Sequence, residues 1–172
     1  MNSVGAAEQP DQAPSGEPSE PVVDAVVGAS RALVAIAARS LGEAGEEVTL
    51  PQYRALVVLA SRGPQRVVDL AGFLDVTAST ATRMCDRLVR KGLIRRQRQA
   101  SDRRSVRVSI SPAGSRLVAT VTRRRRREIQ AIVDRMAPAD REQLVATLRM
   151  FAAAAGEVPE QDWSLGWGSA DD

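Results

Sequence analysis

Residues 76–111 read VTASTATRMCDRLVRKGLIRRQRQASDRRSVRVSIS, and this stretch decides the fold of the chain. At 100° per residue, four side chains of its first half fall within one narrow arc, which is the buried stripe of an amphipathic helix. They are Ala81, Met84, Cys85 and Leu88. The pattern predicts a helix over residues 77–91 that ends before Gly92, with Thr77 placed to cap its first turn. A shorter helix before it, with Leu70, Ala71 and Leu74 inside, completes a predicted helix-turn-helix.

The outer face of the longer helix combines short polar side chains with arginines. Such side chains suit the base edges and the phosphates of DNA. The expected DNA contacts on this helix are Thr77, Ser79, Thr80, Thr82, Arg83 and Arg87. Arg83 is the expected reader of guanine, whereas Arg87 lies on the flank and is expected to face the DNA backbone.

Two strands are predicted after Gly92. Val106, Val108 and Ile110 alternate with polar residues, which is a period of two with one face buried. Residues 99–104 (QASDRR) are expected to connect the strands as a basic loop. Helix, strand, basic loop and strand follow one another in a winged helix, which places one helix in a DNA major groove and the loop beside it. The expected DNA contacts of this wing are Arg98, Asp102, Arg103 and Arg104.

The rest of the chain is predicted to be helical, so the fold class is mainly α with a small β-hairpin wing. Thr49 and Gln52 fit a capping box, and Ser111 followed by Pro112 fits a second helix start. The helices at both ends of the chain are apolar, and the small winged helix between them cannot cover all of their apolar surface. This pattern indicates a partner subunit. The predicted organisation is a disordered acidic tail (1–20), an N-terminal dimerisation helix (21–48), a winged helix-turn-helix (49–111), C-terminal dimerisation helices (112–156) and an acidic tail (157–172).

The charges of the chain are segregated. All 24 basic residues lie between Arg31 and Arg149, whereas ten of the 21 acidic residues lie outside that segment, toward the two ends of the chain. The net charge of +3 therefore conceals a middle segment of +13. A polyanion partner is the natural inference for such a segment, because a merely solvated charged surface does not explain why the tails differ.

Four motifs together resemble the multiple antibiotic resistance regulator (MarR) family of bacterial repressors. They are LA (70–71), DRLVRKGLIRR (86–96), DRR (102–104) and SPAG (111–114), and TLPQYRAL (49–56) resembles the opening of the family's second helix. The resemblance extends from about Val22 to about Phe151, and Ser111 replaces a more usual threonine. It implies an obligate homodimer that represses its own or a neighbouring operon at a pseudo-palindromic site on double-stranded DNA. It also implies release from DNA by a small phenolic ligand or an oxidant, and the sequence does not indicate which residues bind that effector.

Other functions are less well supported by the sequence. An enzyme is not expected, because there is no histidine, no Gly-rich phosphate loop, no metal-binding spacing and no nucleophile with an evident base, so no cofactor or metal is expected either. Asp102 could be interpreted as a catalytic acid. Its position between the two strands favours another role, in which it accepts hydrogen bonds from Arg104 and stiffens the wing. A non-specific architectural DNA-binding protein is the stronger rival, since phosphate contacts alone give salt-dependent affinity without sequence preference.

Two further features have alternative interpretations. Cys85 is a redox sensor or a packing residue, and its place in the apolar arc favours packing. Residues 123–127 (RRRRR) form a phosphate-binding strip or a solvated helix face. Five consecutive residues on a helix point in every direction, so two or three of them at most can face one partner, and this favours the solvated face. No stretch of the sequence is expected to be long and apolar enough to span a bilayer. A single cysteine cannot form an intrachain disulfide, which fits a reducing compartment, so the chain is expected to be cytoplasmic.

Overall fold

The computed structural model describes residues 20–42, 48–99 and 102–163, without the side chains of residues 98, 99, 102–106 and 161. The described elements are α1 (Glu20–Gly42), α2 (Leu50–Arg62), β1 (Gln65–Arg66), α3 (Val67–Phe73), α4 (Ala78–Arg90), β2 (Ile94–Gln99), β3 (Asp102–Ile110), α5 (Pro112–Val133), α6 (Pro138–Ala154) and a short 3-10 helix (Glu160–Asp162). The chain divides into two compact units at Val34/Ala35. The predicted fold class, mainly helical with a small β wing, is confirmed.

The helix starts that the sequence predicted are present. The Thr49 hydroxyl accepts a hydrogen bond from the Gln52 amide (3.4 Å), and the Gln52 side chain accepts one from the Thr49 amide (3.3 Å). These two bonds form the predicted capping box of α2. Thr77 caps α4 by accepting from the Thr80 amide, and Ser111 caps α5 by accepting from the Gly114 amide. Each cap satisfies a backbone N–H that the first turn of a helix leaves unpaired.

The sheet has three antiparallel strands in the order β1, β3, β2. The sequence did not predict β1, because a strand of two residues has no periodicity to detect. The predicted alternation of β3 holds only in part: Val108 is buried and Ile110 half-buried, but Ser109, expected on the solvent side, is also almost fully buried. The side chain of Val106 lies outside the described part of the chain.

The core of the second unit lies between α2, α3, α4, α5 and the start of the hairpin. Ala81, Met84, Cys85 and Leu88 form the buried face of α4, as predicted. Met84, Cys85 and Leu88 pack in one cluster of buried side chains with residues of the other elements, which include Leu56, Leu59, Leu70, Ile94, Val118 and Val121, and Leu74 lies at its edge. Cys85 is fully buried, which raises the pKa of its thiol and supports the packing interpretation.

Helix α1 contributes to both units. Its first part, in the unit that ends at Val34, carries exposed apolar side chains, namely Val22, Val23, Val26, Val27, Leu33 and Val34. The helix is long and apolar enough to cross a membrane, so the prediction that no window has this property was wrong. Only Asp24 and Arg31 interrupt residues 21–38 with charge. Length and composition are a weak criterion, because core helices and signal sequences meet it too.

The end of α1 is attached to α5. Ile36, Ser40 and Leu41 are buried there. The Arg39 guanidinium donates two hydrogen bonds to one carboxylate oxygen of Glu128, at 2.6 and 3.1 Å, and the Ser40 hydroxyl donates to the other oxygen at 3.1 Å. The hydrogen bond from Arg39 is the main reason why the pKa of Glu128 lies below its ordinary value.

The segment after α6 lies against α2 and α5. The Arg54 guanidinium forms a two-point ion pair with Glu157, and Arg126 forms an ion pair with Glu160 at 2.7 Å. Arg62 donates to the Gly156 carbonyl oxygen at 2.7 Å. The Trp163 ring packs against the core cluster while its indole N–H donates to the Val158 carbonyl. The first part of the acidic tail that the sequence predicted, residues 157–163, is thus bound to the folded unit.

Candidate nucleic-acid interface

The first turn of α4 presents a network of three hydroxyl groups. The Thr77 oxygen accepts from the Thr80 amide (3.3 Å), lies 3.1 Å from the Ser79 oxygen, and donates to the Thr80 oxygen (3.0 Å). Arg83 donates to that same Thr80 oxygen at 3.3 Å. Because the Thr80 hydroxyl accepts from two neighbours, its own proton is free to point outward. Thr80 is therefore the hydroxyl of this turn that is best placed to donate to a phosphate or a base acceptor.

Thr82 is less suited to the contact that the sequence predicted. Its side chain is exposed, but its hydroxyl donates to the Ala78 carbonyl within the helix at 2.8 Å. That bond uses the only proton of the hydroxyl, which leaves acceptor capacity alone. In this rotamer Thr82 therefore offers only an acceptor, for example to a base amino group, and a contact with a phosphate oxygen requires its hydroxyl to turn away from the Ala78 carbonyl.

Arg83 and Arg87 line one groove. The groove has a volume of about 330 Å³ and lies between the first turn of α2 and one side of α4. Its remaining lining residues are Thr49, Pro51, Gln52, Thr80 and Met84. Both arginines are exposed, and within the described residues neither forms an ion pair. Two guanidinium groups without a carboxylate partner among the described residues, beside the N-terminal end of a helix, make this groove attractive to an anion.

Asp86 and Arg96 form a contact that sequence reasoning missed. The Asp86 carboxylate of α4 forms an ion pair with the Arg96 guanidinium of β2. The pair joins the helix to the first strand of the wing across a separation of ten residues, and both side chains are partly exposed. No sequence signal indicates this pairing, because it depends on the angle at which β2 leaves α4.

The backbone of the wing corrects one prediction. Residues 99–104 were expected to form the connecting loop, yet β2 extends to Gln99 and β3 begins at Asp102. Arg98 pairs with Val106 and Gln99 with Asp102, with an irregularity between Arg98 and Gln99. Arg103 and Arg104 therefore belong to a strand and not to the tip. Backbone ladder hydrogen bonds do not require apolar side chains, so the polar sequence gave no sign that the strands extend so far. The predicted hydrogen bond from Arg104 to Asp102 lies outside the described side chains.

The winged helix-turn-helix geometry agrees with the comparisons between this chain and known proteins. The family model of the MarR family matches residues 48–106, which include α2, α3, α4 and β2. The structure of RV1404 from Mycobacterium tuberculosis is 42% identical, with a TM-score of 0.78, and the match covers 84% of this chain and 99% of that one. The chain belongs to the MarR family.

Two other known proteins are similar to this chain. The uncharacterized HTH-type transcriptional regulator YpoP of Bacillus subtilis is 36% identical over 73 residues, which are 42% of this chain and 52% of YpoP. The chain thus spans about half the length of the first curated relatives it matches. A point mutant of MepR from S. aureus, whose structure is of a complex with an oligodeoxyribonucleotide, is 23% identical with a TM-score of 0.58 over 81% of this chain and 99% of that one. This last likeness shows the fold.

Proposed function

We propose that this MarR-family chain is a sequence-specific DNA-binding transcriptional regulator that inserts α4 into the major groove. The observation that carries the proposal is the division of α4 into two faces. One face is fully packed in the core, and the other presents hydroxyl groups and two arginines without an ion-pair partner among the described residues. A helix that merely completed a core would not need free guanidinium groups on its outer face.

Each polar group of α4 has a role in the proposed complex. Arg83 reads guanine, since a guanidinium forms two hydrogen bonds with the O6 and N7 atoms of that base. Thr80 and Arg87, with Thr77 and Ser79 beside them, position the helix on the backbone, and the groove next to α2 receives a phosphate. Arg98, Asp102, Arg103 and Arg104 of the wing contact the neighbouring minor groove or its phosphates. The MepR complex with an oligodeoxyribonucleotide supports this use of the fold.

We expect the protein to act as a homodimer on a pseudo-palindrome. Exposed apolar residues on residues 20–34 of α1 and on α6 support a second copy as partner; on α6 they are Val145, Leu148, Met150 and Phe151. Two recognition helices then lie about 34 Å apart, one turn of DNA. Light scattering should give the dimer mass at micromolar concentration, and Leu148→Glu should weaken the dimer while Gln143→Glu on the same helix should not. A stable wild-type monomer would contradict the dimer.

The deciding experiment measures site preference. A footprint on DNA flanking the gene of this protein should identify an operator, and affinity for it should be compared with that for a scrambled duplex at fixed salt. Arg83→Ala should cost about 1–3 kcal/mol on the operator and relax preference at one base position per half-site. Arg87→Ala should weaken both duplexes alike. Arg135→Ala, which removes the same charge from an exposed site between α5 and α6, is the matched control.

Two results would change the proposal. Equal affinities for the operator and the scrambled duplex would indicate an architectural DNA-binding protein instead. An unchanged base preference in Arg83→Ala would remove Arg83 as the base reader.

The family resemblance supports three further parts of the proposal. The protein acts in the cytoplasm and performs no catalytic step, represses its own or a neighbouring operon, and leaves DNA when it binds a small phenolic effector. Titration of the operator complex with a phenolic acid such as salicylate tests the last part. Release at concentrations that leave the fold intact would support it, and an unchanged complex would contradict it for this ligand class.

A further inference from the structure

The middle of α5 carries a groove lined almost entirely by arginines. Its volume is about 460 Å³, and its lining residues are Thr120, Arg123, Arg124, Arg126 and Arg127. At 100° per residue these five positions span an arc of about 160°, which adjoins the arc of the buried Leu117, Val118 and Val121, with Arg124 at the border between them. Four of the five consecutive arginines line this groove, and the expectation that two or three of them at most face one partner stays a prediction. The volume lies in the range of small-molecule sites.

The positive charge of this arginine groove is poorly balanced. Glu160 forms an ion pair with Arg126 at one edge. Within the described part of the chain no carboxylate pairs with Arg123, Arg124 or Arg127. Glu128, the next residue along α5, is turned away and is bound by Arg39 and Ser40. Like charges held this close repel one another, and a bound anion relieves the repulsion.

One nitrogen atom of Arg124, a residue that lines the groove, also lacks a hydrogen-bond acceptor. The Nη1 atom of Arg124 is buried and has no hydrogen-bond partner among the residues described. A guanidinium nitrogen only donates, and a buried donor without an acceptor costs free energy. A ligand with several oxygen atoms in the groove would offer the Arg124 side chain an acceptor if it turned toward the groove, and would supply the missing negative charge.

We propose that the arginine groove of α5 is a binding site for a multivalent oxyanion that carries phosphate groups. Phosphate suits it because the planar fork of arginine matches two phosphate oxygens, and the excess of three positive charges favours a ligand with more than one negative charge. Both a free polyanion and the backbone of DNA supply this chemistry. The site is separate from α4 and does not depend on base reading there.

Tripolyphosphate is the probe. Calorimetric titration of the full-length protein at constant ionic strength should show saturable binding, and the ligand should raise Tm more than sulfate at the same ionic strength. The double variant Arg124→Gln/Arg127→Gln should weaken binding by about tenfold or more, because it removes two charged donors. The variant Arg135→Gln/Arg149→Gln, which removes the same charge at exposed positions outside the groove, should bind as the wild type does. Circular dichroism of both variants checks that they are folded.

Glu160→Gln adds a test in the opposite direction. It removes the counter-charge of Arg126, so tripolyphosphate should bind more tightly. A dissociation constant that does not fall would overturn the place of Glu160 at the edge of the groove.

A DNA titration distinguishes the two sources of phosphate. If the natural ligand is a free polyanion, the double variant should keep the wild-type salt dependence of DNA binding. If it is the DNA backbone, the slope of log K against log salt should fall by about two units. Three results would overturn the site: no preference for tripolyphosphate over sulfate in the wild type, equal loss in the control variant, or a dimer weakened by the double variant while tripolyphosphate binding is unchanged. The last result would mean that carboxylates of a second copy fill the groove.

Discussion

Replacing Gly114 by alanine tests the contact between the start of α5 and the wing. A Cβ at this position would lie 2.2 Å from the Leu93 carbonyl oxygen and 2.8 Å from a side-chain carbon of Ile110. The first of these atoms belongs to the backbone and accepts a hydrogen bond from the Ser111 amide at 3.0 Å. The Ser111 hydroxyl also donates to the Gly92 carbonyl, so α5, the end of α4 and the start of β2 are joined at this point.

The size of the effect follows from these contacts. The backbone at Leu93 must move by roughly 1 Å to admit the methyl group, and overpacking of this kind costs about 1–3 kcal/mol. Weakening the bond from the Ser111 amide adds about 0.5–1.5 kcal/mol, while alanine in a helix gains about 0.5–1 kcal/mol over glycine. We expect a net loss of about 1–3 kcal/mol, which for a chain of this length lowers Tm by about 2–12 °C.

The measurement is thermal unfolding by circular dichroism at one protein concentration, because the proposed homodimer would make Tm depend on concentration. Gly72→Ala is the matched control, since Gly72 lies in α3 and a Cβ there would meet no atom within 4 Å. This variant should gain about 0.5–1 kcal/mol. A Gly114→Ala protein that is as stable as the wild type would show that the start of α5 does not lie this close to the Leu93 backbone.

Three other variants or reactions test single contacts. Glu128→Gln should be less stable than the wild type at pH 7, and the difference should shrink as the pH falls below the ordinary glutamate pKa of about 4.3 and vanish below the lowered pKa of Glu128. The reason is that the bond from Arg39 lowers the pKa of Glu128, so its stabilisation exists only while the carboxylate is ionised; a difference independent of pH would contradict it. Cys85 should react with iodoacetamide slowly in the native protein and rapidly in denaturant, because burial keeps the thiol protonated, and equal rates would contradict the packing role. Asp86→Asn should steepen the salt dependence of DNA binding by about one unit because it frees the Arg96 guanidinium, whereas an unchanged slope would show that Arg96 does not reach DNA.

The sequence predicted best the features that depend on local chemistry. The buried stripe of α4 follows from helical periodicity over 13 residues, and the caps of α2, α4 and α5 follow from a hydroxyl placed before a helix. These signals need only neighbours within one or two turns. They also set the exposed positions of Thr77 and Arg83, and hence the outer face of the candidate interface.

Features that depend on tertiary geometry were missed. The two residues of β1 form a strand only because β3 lies beside them. The extension of the wing strands to Gln99 and Asp102 comes from backbone pairing, to which the arginines contribute no pattern. The ion pair of Asp86 with Arg96 depends on the direction of β2, and the loss of a donor at Thr82 depends on its rotamer.

The arrangement around α5 also suggests how an anion would act on the rest of the unit. The segment after α6 is held by two ion pairs, one from Glu157 to Arg54 of α2 and one from Glu160 to Arg126 of α5. Only Arg126 belongs to the arginine groove. An anion bound there competes with Glu160 but not with Glu157, so it would loosen the segment from α5 while leaving it attached to α2. Gly114 meanwhile fixes the first turn of α5 on the Leu93 backbone. The first response to the anion should therefore occur near Trp163 and not in the wing. In a titration, the fluorescence of that indole should change at a lower anion concentration than the one that alters DNA affinity.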